Sequence, residues 1–339
     1  MDNITRRKFL HIGGSVALGG LFIGVAGNSL WKMFLHPDQL FYDSKRVKDA
    51  DALALRNSQF VSPYRRTFGF VAPDEVTAFE MIKGSVILAT PNNIYIYGIS
   101  GELQNNFPVP SDVRDMAVYD DQIYLLYGAR VEVYSMQGDM VKSWDACSED
   151  SDYCSLTVFE GGVFVTDASN KNICKYNLDG TLARFINSPK GFIVPSYSFG
   201  ITNMDGAVYA SNPGRHLIEQ YTADGEFVSA FGKAGAGDGE FSGCCNPVIL
   251  TTNTAGEILT SEKGVPRISC YTRDGQFRSV LLDQKALGGG HVAYDMRVYN
   301  DKLIVVGGDK VSVFQYNRQV SQQTLCGTCD LDCPMKVLA

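Results

Sequence analysis

Apolar residues fall in short runs along most of the chain, and polar turns that contain glycine separate these runs. Two such runs lie at residues 162–167 and 173–176, and two more at residues 207–210 and 217–221. Runs of this length are typical of β-strands and are too short for the amphipathic helices of globular proteins. A further apolar stretch precedes each pair of runs. The pattern therefore predicts strands that follow one another with tight turns between them.

A short signature shows that these strands belong to a repeat. A tyrosine stands four residues before a glycine in five places: Tyr97/Gly101, Tyr134/Gly138, Tyr176/Gly180, Tyr221/Gly225 and Tyr271/Gly275. The copies are about 40 residues apart, and a degraded sixth copy has Phe314 before Arg318, where glycine is expected. A polar and then an apolar residue follow each glycine. This order predicts a hairpin turn in which glycine supplies the positive φ before the next strand begins.

Six copies with four strands each predict an all-β protein, a six-bladed β-propeller with four antiparallel strands per blade. A β-sandwich of similar hairpins is the alternative, and a six-fold repeat in a single phase disfavours it. We divide the chain into an N-terminal signal or membrane-anchor helix (1–35), a linker (36–70), the propeller (71–324) and a cysteine-rich tail (325–339).

Composition supports this fold and excludes one class of partner. The chain has 34 glycines, 17 tyrosines and 19 phenylalanines, as expected for strands joined by tight turns. It carries 37 acidic and 30 basic residues, so its net charge is −7. Nucleic acid binding requires a basic surface, and nucleic acid is therefore not an expected partner. The nine cysteines are an odd number, so at least one cannot pair within the chain.

The N-terminus predicts export. Arg6 and Arg7 precede Phe9 and Leu10, and a glycine-rich apolar stretch follows over residues 12–31, which matches a twin-arginine signal. That route carries proteins that are already folded, often with a cofactor inserted. A general secretory signal is the alternative. The apolar stretch is long enough to span a bilayer, and cleavage and retention as an anchor both remain open. We expect the protein on the periplasmic side of the bacterial cytoplasmic membrane.

The repeat resembles the NHL type. The landmarks follow the order of that family: Asp224-Gly225-Glu226-Phe227, Phe231-Gly232, Gly239-Glu240-Phe241 and Asn246-Pro247. The resemblance covers all six copies and is sharp only from about residue 194 to 282. It implies an NHL/TolB-like propeller. The pairing of a Cys-Cys-Asn-Pro motif with a Glu-Lys-Gly motif is similar to a bacterial subgroup of NHL-like proteins, which points to a site and implies no activity.

Strand direction predicts where the unusual residues meet. Successive antiparallel strands alternate in direction, so the b–c loops and the links from strand d to the next strand a open on one face of the propeller. We call this the link face and the opposite one the turn face. The expected binding residues of the link face are Asn212, Arg215, His216, Asn246, Glu262 and Lys263. We also expect the C-terminal tail to leave the last strand d on the link face.

The tail cysteines predict a metal centre. Cys326, Cys329 and Cys333 have the spacing of the last three ligands of a bacterial ferredoxin run, including the following proline. The first cysteine of that run is missing, and either Cys244 or Cys245 is expected to supply the fourth thiolate of a 4Fe-4S cluster. The same sulphur atoms suit structural zinc, which four thiolates satisfy. The third alternative is that these cysteines bind no metal and form disulfides.

Other cysteines have simpler interpretations. Cys147 and Cys154 lie in one link, and an oxidising compartment favours a disulfide between them. The adjacent Cys244 and Cys245 form a candidate for a strained, redox-active disulfide. Cys174 is expected to be a small buried apolar residue of a strand c.

Two functions follow from these patterns. The first is electron transfer: a membrane-associated propeller carries an iron–sulfur cluster, exchanges electrons with a membrane redox partner, and tunes the cluster with the charges of Arg215 and Lys263. The second is a non-catalytic scaffold that binds a protein or a glycan and whose cysteines form disulfides. The sequence contains no Ser-His-Asp order, phosphate loop or evident pair of catalytic carboxylates, so it does not favour an ordinary hydrolase or nucleotide enzyme.

Overall fold

A computed structural model describes residues 61–317, except residues 236, 238 and 265. Within this part of the chain, 24 strands form six antiparallel sheets of four strands each. The innermost strands contact one another in a closed ring around a central channel. The predicted all-β propeller with six blades of four strands is confirmed.

Each of the first three blades consists of four consecutive strands, labelled a to d from the channel outwards. One strand, β1 (Tyr64–Val71), precedes them. Blade 1 contains β2 (Ala78–Ile82), β3 (Ser85–Thr90), β4 (Asn93–Gly98) and β5 (Leu103–Pro108). Blade 2 contains β6 (Asp115–Tyr119), β7 (Gln122–Leu126), β8 (Arg130–Ser135) and β9 (Met140–Asp145). Blade 3 contains β10 (Tyr153–Phe159), β11 (Gly162–Asp167), β12 (Asn172–Tyr176) and β13 (Leu182–Ile186).

The remaining blades continue this order, and short helical turns interrupt their loops. Blade 4 contains β14 (Ile201–Met204), β15 (Ala207–Asn212), β16 (Leu217–Thr222) and β17 (Phe227–Phe231). Blade 5 contains β18 (Ile249–Thr252), β19 (Glu257–Glu262), β20 (Arg267–Thr272) and β21 (Phe277–Leu282). Blade 6 contains β22 (Asp295–Tyr299), β23 (Lys302–Gly307) and β24 (Lys310–Tyr316). The helical turns are 3-10 helices at Pro195–Tyr197 and Pro213–Arg215 and one α-helical turn at Gln284–Leu287.

The outer strand of blade 6 comes from the opposite end of the described chain. β1 pairs with β24 in antiparallel register, from Tyr64 opposite Tyr316 to Val71 opposite Lys310. Residues 64–70 fall within the predicted linker (36–70), and the structure shows instead that they belong to the strand that closes the ring. This pairing also explains the degraded sixth signature, because β24 takes β1 as its outer neighbour and needs no glycine hairpin to reach one.

The same pairing corrects the expected direction of the tail. β24 is strand c of its blade, so the described chain ends at Asn317 on the turn face, where its N–H donates to the Pro63 carbonyl at 2.7 Å. The expectation that the tail leaves a strand d on the link face was wrong, because strands c and d run in opposite directions.

The signature glycines pack the blades against each other. Gly138 and Gly275 have φ of 97° and 83°, values that favour glycine. A Cβ atom at Gly138 would lie 2.5 Å from Phe107, and one at Gly275 would lie 2.2 Å from Phe231. Both aromatic residues belong to strand d of the preceding blade. One glycine is therefore required at each of these turns for two reasons: the backbone has a positive φ, and the neighbouring blade leaves no room for a Cβ atom.

Within residues 61–317, no helix is both long and apolar enough to cross a membrane. The predicted signal or anchor helix at residues 1–35 lies outside the described residues.

Candidate functional site

The link face brings together two of the segments that the sequence singled out. Asn246 is buried in the link between blades 4 and 5, and its Oδ1 accepts the Lys263 N–H at 2.9 Å. Its Nδ2 donates to the carbonyls of Ser242 at 2.7 Å and Lys263 at 3.0 Å. The Cys-Cys-Asn-Pro and Glu-Lys-Gly motifs are thus two halves of one contact, and Asn246 joins them.

Glu262 and Lys263 do not form the surface pair that their adjacency suggests. Glu262 is fully buried and pairs with the equally buried Arg267, whose guanidinium also donates to the Glu240 carbonyl. Burial raises the pKa of Glu262, and the Arg267 charge opposes that rise. Lys263 points elsewhere, and its Nζ donates to Ser198 Oγ at 3.1 Å.

Asn212 and Arg215 hold the link between blades 3 and 4. Asn212 is buried, accepts the Ile193 N–H at 2.9 Å and donates to Glu219 Oε1 at 2.7 Å. Arg215 donates through Nε to the Gly191 carbonyl at 2.9 Å and through a second nitrogen to the adjacent backbone carbonyl. Both side chains therefore stabilise this loop, and the hydrogen bonds that Arg215 donates go to backbone carbonyls.

His216 follows this loop in a left-handed conformation, with φ of 58°. Burial lowers the pKa of its imidazole, so the neutral form is favoured at pH 7. Its Nδ1 has no hydrogen-bond partner among the described residues.

The adjacent cysteines differ in exposure. Cys244 is exposed and Cys245 is buried, and their sulphur atoms lie 3.5 Å apart as thiols. Burial raises the pKa of Cys245, whereas the neighbouring Lys263 ammonium opposes that rise. The tail ligands Cys326, Cys329 and Cys333 lie outside the described residues. The chain leaves the described part on the turn face, opposite to Cys244 and Cys245.

The third cysteine group differs from the expected one. Cys147 lies 3.3 Å from Cys174, measured between the sulphur atoms, and not beside Cys154. Cys147, Cys174 and Asp167 place their possible ligand atoms within 4.8 Å of one another, which makes them a candidate metal group. Cys154 packs instead with the apolar cluster between blades 3 and 4.

The central channel contains a charged group that no sequence motif predicted. Arg297 of β22 donates through Nε to both carboxylate oxygens of Glu80 in β2, at 3.0 Å each. It also donates to Asp295 Oδ1 at 2.7 Å. One guanidinium therefore joins two carboxylates across the junction between blades 6 and 1.

Asp115 adds a third carboxylate to this wall of the channel. It accepts hydrogen bonds from the N–H groups of Met116 and Leu156 and from the Ser155 hydroxyl. Loss of hydration raises the pKa of Asp115 to about 6, because the Arg297 charge offsets only part of that effect.

The opposite wall carries neutral polar groups. Asn203 donates to Thr157 Oγ1 at 2.6 Å, and Thr252 Oγ1 donates to the Asn203 carbonyl at 3.0 Å. Tyr197 also lines the cavity, with 67% of its surface exposed and a left-handed φ of 53°. The cavity has a volume of about 730 Å³.

One sequence signal could have found this channel. Strand a of each blade is buried by its neighbours, so a charged residue there is costly unless it is paired. Two of the innermost strands carry such residues: β22 reads Asp-Met-Arg-Val-Tyr, and β2 contains Glu80. Strand a of blade 2 begins with Asp115 in the same way.

Comparison with known proteins identifies the fold alone. No family model matches the sequence, and no curated protein matches it. A catalytically inactive virginiamycin B lyase from Staphylococcus aureus, solved with quinupristin, has a TM-score of 0.52 at 14% identity, covering 74% of this chain and 99% of that chain. A streptogramin B lyase has a TM-score of 0.51 at 16% identity, covering 75% of this chain and 98% of that chain. At these identities the similarity shows the propeller fold alone.

Proposed function

We propose that this protein is an exported binding propeller that takes a saccharide in its central channel. The observation that carries the proposal is the channel itself, a polar cavity of about 730 Å³ with a charged wall and a neutral hydrogen-bonding wall. Small-molecule sites are commonly clefts of about 300–1,000 Å³. The volume of the channel is within that range and suits a ligand the size of a short oligosaccharide.

The lining groups suit hydroxyl-rich ligands. A sugar hydroxyl both donates and accepts a hydrogen bond, so it needs acceptors and donors close together. Asp115 and Glu80 accept, Arg297 donates, and Asn203 does both.

The charge of the channel selects among saccharides. Carboxylates outnumber guanidiniums in the cavity lining, which contains Glu75, Glu80, Asp115 and Asp295 against Arg114 and Arg297. A like charge without a partner opposes binding in such a site. We therefore expect neutral or amino sugars to bind and sugar acids to be rejected.

Tyr197 provides the apolar part of the site. Its ring is exposed beside the channel, and the following residue, Ser198, is held by Lys263 at 3.1 Å. The apolar face of a pyranose ring packs against an aromatic face, and a tyrosine keeps its hydroxyl hydrated at the same time.

A calorimetric titration tests this proposal with four disaccharides: cellobiose, di-N-acetylchitobiose, cationic chitobiose and anionic digalacturonate. We expect at least one of the first three disaccharides to bind. Digalacturonate should bind at least about tenfold more weakly than that disaccharide. Asn203→Ala should weaken the binding of that disaccharide about tenfold or more, the equivalent of one lost hydrogen bond. The matched control, Lys83→Ala, changes an exposed residue of the turn face and should leave binding unchanged. No binding by any of the four, or binding that Asn203→Ala leaves unaltered, contradicts the proposal.

Electron transfer remains a second candidate because of one observation, the ferredoxin-like spacing of Cys326, Cys329 and Cys333. It requires a cluster and a membrane redox partner. Anaerobically purified full-length protein should then contain iron and acid-labile sulfide in near-equal amounts, and Cys329→Ser should remove both. Absence of iron and sulfide after anaerobic reconstitution contradicts this candidate and leaves the saccharide proposal untouched.

A further inference from the structure

We infer that Cys147 and Cys174 form a disulfide bond in the oxidised protein, which fixes the link between blades 2 and 3 to strand c of blade 3. The two residues are 27 positions apart in sequence, and their sulphur atoms are already in contact at 3.3 Å. A disulfide brings the two sulphurs to about 2.05 Å. The change required is about 1 Å, which small adjustments of two side chains can supply.

The surroundings hold both thiols in place. Cys174 is fully buried in β12, and Cys147 packs against the same apolar cluster between blades 2 and 3. The Cys147 N–H donates to the Tyr153 hydroxyl at 3.1 Å, and that hydroxyl also bonds to the Tyr176 hydroxyl. The pair is therefore preorganised and requires no folding change to react.

A metal ion is a weaker interpretation of the same group. The Asp167 carboxylate is occupied by four hydrogen-bond donors, the backbone N–H groups of Asp152, Ser169 and Asn170 and the Asn170 side chain. These bonds shape the b–c loop of blade 3. A metal would have to displace them, and two sulphurs alone do not complete the four-ligand site of structural zinc.

Cys154 is an unsuitable partner for Cys147. Its Sγ donates to the Asp152 carbonyl at 3.6 Å, and its side chain packs against the cluster between blades 3 and 4.

Oxidation proceeds by exchange with an external disulfide, such as oxidised glutathione. The half-buried Cys147 loses its proton and attacks one sulphur of the oxidant, which releases one thiol and leaves a mixed disulfide. Cys174 then loses its proton and attacks the Cys147 sulphur, which releases the second thiol. The protein loses two protons and two electrons, and the oxidant becomes two thiols.

The disulfide would restrict the movement of the link between blades 2 and 3, which lies beside the channel wall. The link that contains Cys147 continues to Asp152, and the Asp152 carboxylate pairs with Arg114, a residue that lines the cavity. Closing a loop of this size restricts the unfolded chain and so favours the folded one.

Peptide mapping tests the inference on the wild-type protein. After incubation with oxidised glutathione and acid trapping of free thiols, trypsin should release peptide 143–171, which contains Cys147 and Cys154, joined to peptide 172–175, which contains Cys174. The joined mass should lack two hydrogens relative to the sum of its parts. It should persist in Cys154→Ser, the matched control, and disappear in Cys147→Ser. An internal disulfide within peptide 143–171, or three free thiols after oxidation, overturns the inference.

A second measurement needs no substitution of Cys147 or Cys174. Reduction of the oxidised wild type should lower the thermal midpoint by roughly 5–15 °C, and Cys154→Ser should show the same shift. Stoichiometric zinc that protects Cys147 and Cys174 from alkylation would contradict the disulfide and favour the metal interpretation.

Discussion

Arg297 Nε lies 3.0 Å from both carboxylate oxygens of Glu80, and this contact joins the last blade of the ring to the first. The guanidinium also stacks over the Phe79 ring at 5.0 Å. Three kinds of contact thus close the ring: the outer pairing of β1 with β24, this ion pair on the channel wall, and the buried apolar cluster that packs blade 6 against blade 1.

We expect Arg297→Gln to destabilise the protein by about 3 kcal/mol, because Glu80 and Asp295 would be left largely buried without their cation. Urea denaturation measures this change. Lys83→Ala is the control, since its pair with Asp121 is exposed and should contribute at most about 1 kcal/mol. A loss of less than 1 kcal/mol in Arg297→Gln would show that the channel pair is not needed for closure.

The raised pKa of Asp115 predicts a pH dependence of stability. Because the folded pKa is about 6 and the ordinary value is 3.8, the folded state holds a proton more tightly than the unfolded chain. The resulting stability is present below about pH 4 and is lost as pH rises through about 6, by up to about 3 kcal/mol. The free energy of unfolding of Asp115→Asn, minus that of the wild type, should therefore increase as the pH is raised from about 4.5 to about 7.5. A difference that does not vary with pH in denaturation experiments contradicts this assignment.

Asn246 is expected to hold the two motifs of the link face together. Asn246→Ala leaves the Ser242 carbonyl and both backbone groups of Lys263 without their partner, which should cost about 2–4 kcal/mol. The loosened link should also let Cys245 react faster with a thiol reagent. Asn106→Ala, at an exposed strand position, is the control for both measurements. Unchanged thiol reactivity would argue against the bridging role.

The closing strand predicts a test of ring integrity. A chain that begins at Ala72 lacks β1 and exposes the edge of β24, which invites pairing with other chains. We expect that chain to lose cooperative unfolding and to associate in solution, whereas a chain that begins at Val61 should remain monomeric with a normal transition. Sedimentation and calorimetry distinguish the two. A monomeric chain from Ala72 with an unchanged midpoint would contradict the importance of β1.

The repeat was predictable because its signal is local. Gly138 and Gly275 satisfy both a backbone requirement and a packing requirement, so each turn leaves a fixed residue at a fixed spacing. Strand alternation then determined which loops share a face. The contact between Asn246 and Lys263 confirms that reasoning for the link between blades 4 and 5.

Closure and the channel were not predictable in the same way. The pairing of β1 with β24 joins segments more than 200 residues apart, and nothing local in residues 64–71 marks them as a strand d. Arg297 and Glu80 are 217 positions apart, and neither belongs to a motif. The contact between Cys147 and Cys174 depends on how one link folds over a blade, whereas proximity in sequence favoured Cys154 instead.

A crystal structure of the protein with the disaccharide that binds most tightly tests the central claim most directly. The account predicts ligand density within the ring of innermost strands, with sugar hydroxyls in hydrogen-bond distance of Asp115 and Asn203. Density on the turn face or on the outer strands, with an empty channel, would contradict the proposal that the channel is the binding site.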